Sequence, residues 1–158
     1  MLVKHAKEYN VDVIAVVRRA DQVESLKAIG AKYIVNTSDA DWQDQLKTLA
    51  KDLEATLGFD AVGGSLTGEE LECMPNGSDL QVYGALSGQP SSALNAKSFI
   101  FQGKKVSGFW LAPYLQNRGT FGLLSMFRKV SNGLKTSFAT TINKTYALED
   151  AARATREY

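Results

Sequence analysis

The sequence predicts an α/β fold in which helices cover a parallel sheet. The main observation is an alternation, because short apolar runs rich in β-branched residues are separated by segments with helical spacing. The connections between these segments are short, as in units built from a strand, a helix and a second parallel strand. The predicted strands, in chain order, are residues 11–17, 33–35, 59–62, 80–83 and 106–111.

The ends of these strands are marked by turn and cap residues. Residues 11–17 are almost continuously apolar, which is typical of a strand buried on both faces of a parallel sheet. The second strand leads into Asn36 to Asp39, a sequence with good helix N-cap chemistry. The third strand ends at Gly63 and Gly64, and the fourth ends at Gly84.

Helical spacing fills the intervals between the strands. The clearest case has one apolar stripe with charged residues largely opposite, and it consists of Trp42, Leu46, Leu49, Ala50 and Leu53. The predicted helices, in chain order, are residues 2–9, 20–29, 42–53, 66–74, 113–134 and 147–158. The length of 158 residues suits one domain with a core of its own.

Composition excludes several classes of function. The net charge is +1, so nothing global draws the chain to nucleic acid or to an anionic membrane. Cys73 is the only cysteine and His5 the only histidine, so an internal disulfide and a metal site built from several Cys or His are excluded. No apolar run suits a secretory signal or a membrane span, so a cytoplasmic or mitochondrial matrix protein is expected.

Ligands of parallel α/β sheets bind outside the carboxyl ends of the strands, so the site is sought there. Arg18 and Arg19 follow the first strand, where a dinucleotide fold meets the adenosine ribose. Arginine at that position accommodates the 2′-phosphate of NADP, whereas an acidic residue binds the free hydroxyl of NAD. The alternative interpretation is a pair of solvated arginines at a turn. Asp21 is a rival ribose contact, but its position favours the first turn of the next helix.

Small and aromatic residues follow the other strands. Gly63 and Gly64 allow close approach of a ligand, or simply form a tight turn. A flat ring could lie against Tyr83, Gly84 and Ala85. The fifth strand ends in aromatic residues that border a pocket or fill the core, namely Phe109, Trp110 and Leu111.

Three further residues have plain structural interpretations. His5 is expected to be a surface or packing residue. Cys73 is expected to be a small buried apolar residue without a catalytic partner. The pair Lys104-Lys105 is interpreted as a solubilising edge before a strand.

Several segments together resemble the cofactor domain of the medium-chain dehydrogenase/reductase family. They are residues 16–19 (VVRR), 26–31 (LKAIGA), 59–64 (FDAVGG), 82–88 (VYGALSG), 99–101 (FIF) and 108–111 (GFWL). The nearest branch is the zinc-free quinone oxidoreductases and enoyl-thioester reductases. The resemblance implies a Rossmann-like doubly wound sheet, with residues 1–158 forming a partial dinucleotide-binding domain. It also implies NADPH-dependent hydride transfer to an activated double bond or a quinone.

The resemblance also implies roles for residues. Arg18 and Arg19 would hold the 2′-phosphate of NADP(H), and Gly63 and Gly64 would approach the ribose or pyrophosphate. Residues 83–85 and 109–111 would border the nicotinamide. Pairing of the last strand with its twin, around residues 105–111, would form a homodimer.

Departures from the family pattern lead to an incomplete sheet. The family's N-terminal catalytic domain, its first nucleotide-fold strand and its glycine-rich loop are not found, so no catalytic acid is nominated. The missing strand would lie between the strands that end at Val17 and Val62, which leaves backbone groups unpaired. Either the chain is a fragment, or a partner fills the slot, or the sheet rearranges. The expected function is the cofactor-binding portion of a reductase, inactive by itself. The alternatives are a degenerate, non-catalytic structural subunit and an ordinary α/β binding domain.

Overall fold

The computed structural model describes residues 1–140, 142 and 144–157 and shows an α/β fold with parallel strands. β1 (Ile14–Val17) pairs with β2 (Tyr33–Asn36), and Ile14 lies opposite Tyr33. The second sheet has the order β3 (Leu57–Asp60), β4 (Asp79–Val82), β5 (Lys105–Gly108). All three ladders are parallel, which confirms the predicted fold class.

The helices occupy the predicted intervals with two differences. Residues 113–134 form two helices rather than one, because the chain turns at Asn117 and Gly119. A helix that was not predicted covers residues 96–102, where the Asn95 side chain accepts a hydrogen bond from the Lys97 amide. The helices are α1 (Leu2–Glu8), α2 (Ala20–Ala28), α3 (Trp42–Asp52), α4 (Leu66–Cys73), α5 (Ala96–Gln102), α6 (Leu111–Gln116), α7 (Thr120–Gly133) and α8 (Ala151–Glu157), the last preceded by a 3₁₀ turn (Leu148–Asp150). Tyr158, which the predicted last helix included, lies outside the described residues.

The core is small and lies where α3 meets β1, β2 and α4. Val35, Leu46 and Cys73 are its buried centre. Ile14, Val16, Trp42 and Leu49 pack around them and remain partly exposed. The apolar stripe of α3 therefore packs on β1 and β2, while α4, which contacts both α3 and β4, connects this core to the second sheet.

A gap separates the two sheets between β1 and β3, where the sequence predicts an absent strand. β1 pairs only with β2, and β3 pairs only with β4, so each keeps one edge without a strand partner among the described residues. One face of the second sheet is also open, since Leu57 and Phe59 of β3 are exposed on it.

The accessible surface of the chain is larger than that of a compact monomer of the same mass. The chain exposes 11457 Å² of accessible surface. A compact monomer of 17.2 kDa exposes roughly 7,800 Å², so the excess is roughly 3,700 Å². No helix within the described ranges is both long and apolar enough to cross a membrane.

Candidate functional site

The end of β1 is held in place by contacts with β2 and α2. The Thr37 amide donates to the Val17 carbonyl oxygen at 2.7 Å, and the Ser38 hydroxyl donates to the Arg18 carbonyl oxygen at 2.6 Å. The amides of Arg18 and Arg19 both donate to the Gln22 side-chain oxygen at 3.1 Å. The backbone of the arginine pair is therefore fixed, while both side chains stay in solvent.

The two guanidinium groups differ in what they contact. Arg19 donates from Nε and Nη2 to the two carboxylate oxygens of Asp21, at 3.0 and 3.2 Å. This bidentate pair raises the pKa of Arg19 and lowers that of Asp21, mainly through the side-chain hydrogen bond. Arg18 makes no ion pair with any described residue. An anion that binds here can therefore pair with Arg18 directly, whereas Arg19 must first break its ion pair with Asp21.

A buried carboxylate organises the glycine turn after β3. Asp60 is 2% exposed, and its Oδ1 accepts from the amides of Val62 at 2.7 Å and Gly63 at 2.9 Å. Its Oδ2 accepts from the Thr67 hydroxyl at 2.7 Å, at the start of α4. Two of the amides that follow the strand therefore point at a protein carboxylate.

The glycines at these strand ends pack against the protein itself. Gly63 and Gly64 both have φ +72°, a region that side chains rarely adopt. A Cβ on Gly64 would lie 3.1 Å from the Ser87 hydroxyl, and one on Gly84 would lie 2.5 Å from the Ala61 carbonyl oxygen. A tight turn and close loop packing account for these glycines without a ligand.

An apolar groove of about 290 Å³ lies over the open face of the second sheet, toward the carboxyl ends of its strands. Leu2, Phe59, Gln81, Tyr83 and Phe109 line it, one residue or more from each of α1, β3, β4 and the end of β5. The groove brings together two of the predicted site residues, Tyr83 and Phe109, and offers flat apolar walls.

The remaining predicted residues lie outside that groove. Trp110 is 74% exposed and Leu111 begins α6, so neither lines the groove. Ala85 faces the glycine turn, with its Cα 3.8 Å from where a Gly63 Cβ would lie. Arg18 and Arg19 belong to the other sheet, across the gap between β1 and β3.

The structure agrees with the interpretations of His5 and Cys73, whereas the interpretation of the pair Lys104-Lys105 is wrong for Lys104. The His5 ring packs 5.1 Å from Tyr9 and 4.9 Å from Phe138. Burial raises the pKa of the Cys73 thiol to about 11, so it is a buried apolar residue rather than a nucleophile. Lys104 is not a solubilising residue.

Lys104 instead lies inside the protein. It is 4% exposed, and its Nζ donates to the carbonyl oxygens of Leu71 at 2.9 Å and Glu72 at 3.2 Å. The ammonium group thereby binds carbonyl oxygens at the carboxyl end of α4, where a positive charge is favourable. Burial lowers the pKa of Lys104.

Asp60 and Glu70 are the site features that sequence reasoning missed. Burial and the neighbouring Asp60 and Glu69 charges raise the pKa of Glu70 to about 8. The visible signal was an acidic residue inside the apolar run before Gly63, and a second acid ten residues later on α4.

Comparison with known proteins agrees with this architecture. A family model described as zinc-binding dehydrogenase matches residues 1–143. The mitochondrial enoyl-[acyl-carrier-protein] reductase of Arabidopsis thaliana is 33% identical over 92 residues, which are 58% of this chain and 24% of that protein. A solved structure assigned as an NADPH:quinone reductase from Mesorhizobium loti has a TM-score of 0.80 at 27% identity, covering 98% of this chain and 46% of that one.

A further solved structure supports the fold alone. It is a mitochondrial 2-enoyl thioester reductase heterodimer from Candida tropicalis, with a TM-score of 0.74 and 20% identity, covering 98% of this chain and 48% of that one.

The fold is that of the cofactor domain of medium-chain dehydrogenases/reductases, as the sequence motifs predict. The chain belongs to the zinc-binding dehydrogenase family, whose model covers most of it. It spans less than half the length of each of the three relatives above.

The family's name raises the question of a zinc site. No three or more His, Cys, Asp or Glu side chains group together to hold a metal ion in the part of the chain that the structure describes. The only two residues of the preferred soft and imidazole types, Cys73 and His5, lie on different helices, α4 and α1. These side chains do not fit a zinc site.

Proposed function

We propose that the chain is the cofactor-binding portion of an NADPH-dependent oxidoreductase that reduces an enoyl thioester or a quinone. Membership of the family and relatives named as enoyl reductases and an NADPH:quinone reductase support this. When bound, NADPH supplies the hydride, and the residues of this chain bind and orient the cofactor.

The uncommitted Arg18 guanidinium is the observation that carries the proposal. Its backbone is fixed by Gln22 and Ser38, and it stands at the strand end that meets the adenosine ribose. Arg18 binds the 2′-phosphate first, and Arg19 joins it by exchanging Asp21 for the phosphate.

The rest of the cofactor lies across the gap. The nicotinamide ring packs in the groove against Tyr83 and Phe109, with Gly84 and Ala85 behind it and Trp110 and Leu111 at its rim. Gly63 and Gly64 bring the backbone near the ribose and pyrophosphate. Since the Val62 and Gly63 amides already bind Asp60, this turn contributes shape rather than amide donors.

We infer that the chain does not catalyse by itself. The unpaired edges of β1 and β3 and the roughly 3,700 Å² of excess surface both indicate that a further polypeptide covers it. That polypeptide is the N-terminal catalytic domain of the reductase or a partner chain that completes the sheet. Residues 1–158 form one domain within that assembly.

The outer edge of β5 is a second contact in this proposal. Among the described residues β5 pairs only with β4, so Lys105–Gly108 offers an open edge to the same strand of a second copy. A homodimer through this edge is expected in sedimentation equilibrium. Val106→Pro, which removes a backbone donor on that strand, is expected to shift the dimer toward monomer.

Titration with NADPH and NADH tests the cofactor assignment. NADPH is expected to bind more tightly than NADH, and Arg18→Ala is expected to lose more affinity for NADPH than Arg19→Ala. Lys27→Ala is the matched control, since Lys27 is an exposed cation on α2 already paired with Glu24. Equal affinity for both cofactors would contradict the 2′-phosphate assignment. No binding at millimolar cofactor would favour a non-catalytic structural subunit.

Hydrogen exchange tests the incomplete sheet separately. The strand amides of β1 and β3 that face the gap are expected to exchange quickly in the isolated chain. They are expected to become protected when a polypeptide that carries the absent strand is added. Protection in the isolated chain would show that the gap is already closed.

A further inference from the structure

Asp21 is an acidic residue in direct contact with the arginine pair that follows β1. It lies in the first turn of α2, and its two carboxylate oxygens accept from Nε and Nη2 of Arg19 at 3.0 and 3.2 Å. A guanidinium binds a phosphate in the same planar, bidentate way. The Asp21 carboxylate therefore takes up one edge of Arg19 through which a phosphate could bind.

The backbone keeps Asp21 beside Arg19. The side-chain oxygen of Gln22, the next residue in the chain, accepts from the amides of Arg18 and Arg19 at 3.1 Å each. The Asp21 carbonyl oxygen accepts from the Ser25 hydroxyl at 2.9 Å within the same helix. Because the backbone on both sides of the carboxylate is held in this way, little chain entropy is lost when Asp21 pairs with Arg19.

The ion pair makes the response to the two cofactors different. NADPH carries a 2′-phosphate, so its binding breaks the contact between Arg19 and Asp21 and brings two negative groups close together. NADH has a hydroxyl at that position, so its binding leaves the ion pair intact. The free energy of the ion pair therefore opposes the binding of NADPH and leaves the binding of NADH unchanged.

We propose that Asp21 is a specificity-determining residue that limits how strongly the chain prefers NADPH to NADH. This inference rests on the proposed function, because it requires the 2′-phosphate to bind at the arginine pair. Asp21 acts through Arg19, whose guanidinium it holds in the empty site. The preference for NADPH is thereby lower than two unpaired arginines would give.

A purely structural role of Asp21 leads to a different result. A carboxylate in the first turn of a helix is favourable near the helix N-terminus, and this effect needs no contact with Arg19. Loss of that stabilisation would change the affinities for NADPH and NADH by the same factor, because both are titrated into the same variant. The ratio of the two affinities therefore reports on the specificity role alone.

Isothermal titration of the full chain with NADPH and with NADH measures this ratio. Asp21→Asn is expected to raise the preference for NADPH about two- to fivefold, the range that exposed ion pairs contribute. Asp21→Glu keeps the charge and is expected to leave the ratio near that of the unmodified chain. Glu24→Gln is the matched control, since Glu24 is an exposed acid on α2 paired with Lys27, and it is expected to leave the ratio unchanged.

A double-mutant cycle tests whether Asp21 acts through Arg19. In the Arg19→Ala background, Asp21→Asn is expected to change the ratio by less than about twofold, because no contact remains to be broken. In the Asp21→Asn background, Arg19→Ala is expected to reduce NADPH affinity more than it does in the unmodified chain. Adenosine 2′,5′-bisphosphate and adenosine 5′-monophosphate repeat the comparison with ligands that carry no nicotinamide and so need no contact across the gap.

Three outcomes would overturn the role of Asp21 and leave the proposed function standing. They are an unchanged ratio in Asp21→Asn while NADPH is still preferred, an equal gain for both cofactors, and a full gain in the Arg19→Ala background. Binding of neither cofactor by the unmodified chain would refute the cofactor assignment itself and this inference with it.

Discussion

The Asp60 carboxylate is expected to be the most sensitive single position in the chain. Asp60→Ala would leave the amides of Val62 and Gly63 without an acceptor, while the Thr67 hydroxyl would keep only the Ser91 hydroxyl, 3.0 Å away. Each donor left unpaired costs about 1–3 kcal/mol, so the loss of both amide contacts is expected to lower the unfolding free energy by about 2–6 kcal/mol. Small domains are stable by only about 5–15 kcal/mol, so this loss is a large part of the total stability.

Urea unfolding of the full chain, followed by circular dichroism, measures the effect. Asp60→Asn is expected to lose only about 1–2 kcal/mol, because one amide oxygen remains to accept from the two backbone groups. Asp52→Asn is the control, since Asp52 is exposed on α3 and its neutralisation is expected to change stability by less than about 0.5 kcal/mol. The reasoning is refuted if Asp60→Ala unfolds at the same urea concentration as the unmodified chain.

Three further predictions follow from buried or crowded groups. The Glu70 carboxyl has a pKa of about 8 in the folded chain, against an ordinary value of 4.5, so the folded state holds a proton that the unfolded state releases. The unfolding free energy is therefore expected to fall as pH rises from 4.5 to about 8. Glu70→Gln is expected to flatten this pH dependence in urea titrations. Lys104→Met removes the donor to the Glu72 carbonyl oxygen and leaves the Leu71 carbonyl oxygen with the Met74 amide alone. The variant is expected to lower stability by about 1–3 kcal/mol, seen as a lower thermal midpoint beside an unchanged Lys105→Met control. Gly68→Ala would place a Cβ against the Ala93 carbonyl and is expected to destabilise the chain, whereas Gly119→Ala, with open space around it, is expected to be mild.

The elements with a strong period were predictable from the sequence. The stripe of α3 places Leu46 and Ala50 in the core, since only one face of a helix can contact the sheet. The continuous apolar run at β1 likewise indicates a strand in a parallel sheet, and it pairs with β2 as expected. The break between the two sheets was predicted through the family resemblance, because the family's strand order puts a further strand between β1 and β3.

Other features depend on contacts that no local pattern records. The helix α5 was missed because Phe99, Ile100 and Phe101 are consecutive, and a run of adjacent apolar residues has no helical period; the Asn95 cap was the usable signal. The sequence alone gives Lys104 the pattern of a surface residue, because only the structure shows that α4 ends beside it. The site positions were predicted from strand ends alone. The role of Asp60 was not predicted, because it depends on which amides the turn at Gly63 directs back toward the carboxylate.

The gap couples the fold of this chain to its proposed function. The Arg18 end of the cofactor site lies on the sheet of β1 and β2, and the Tyr83 and Phe109 groove lies on the sheet of β3, β4 and β5. In the described structure only α3 and α4 connect the two sheets closely, so their separation is held by a small core. A strand that fills the gap would pair both edges and fix that separation at once. NADPH and the completing polypeptide should therefore each strengthen the binding of the other, since both favour the joined sheet. Measuring NADPH affinity with and without that polypeptide tests this, and an unchanged affinity would show that the two halves of the site act independently.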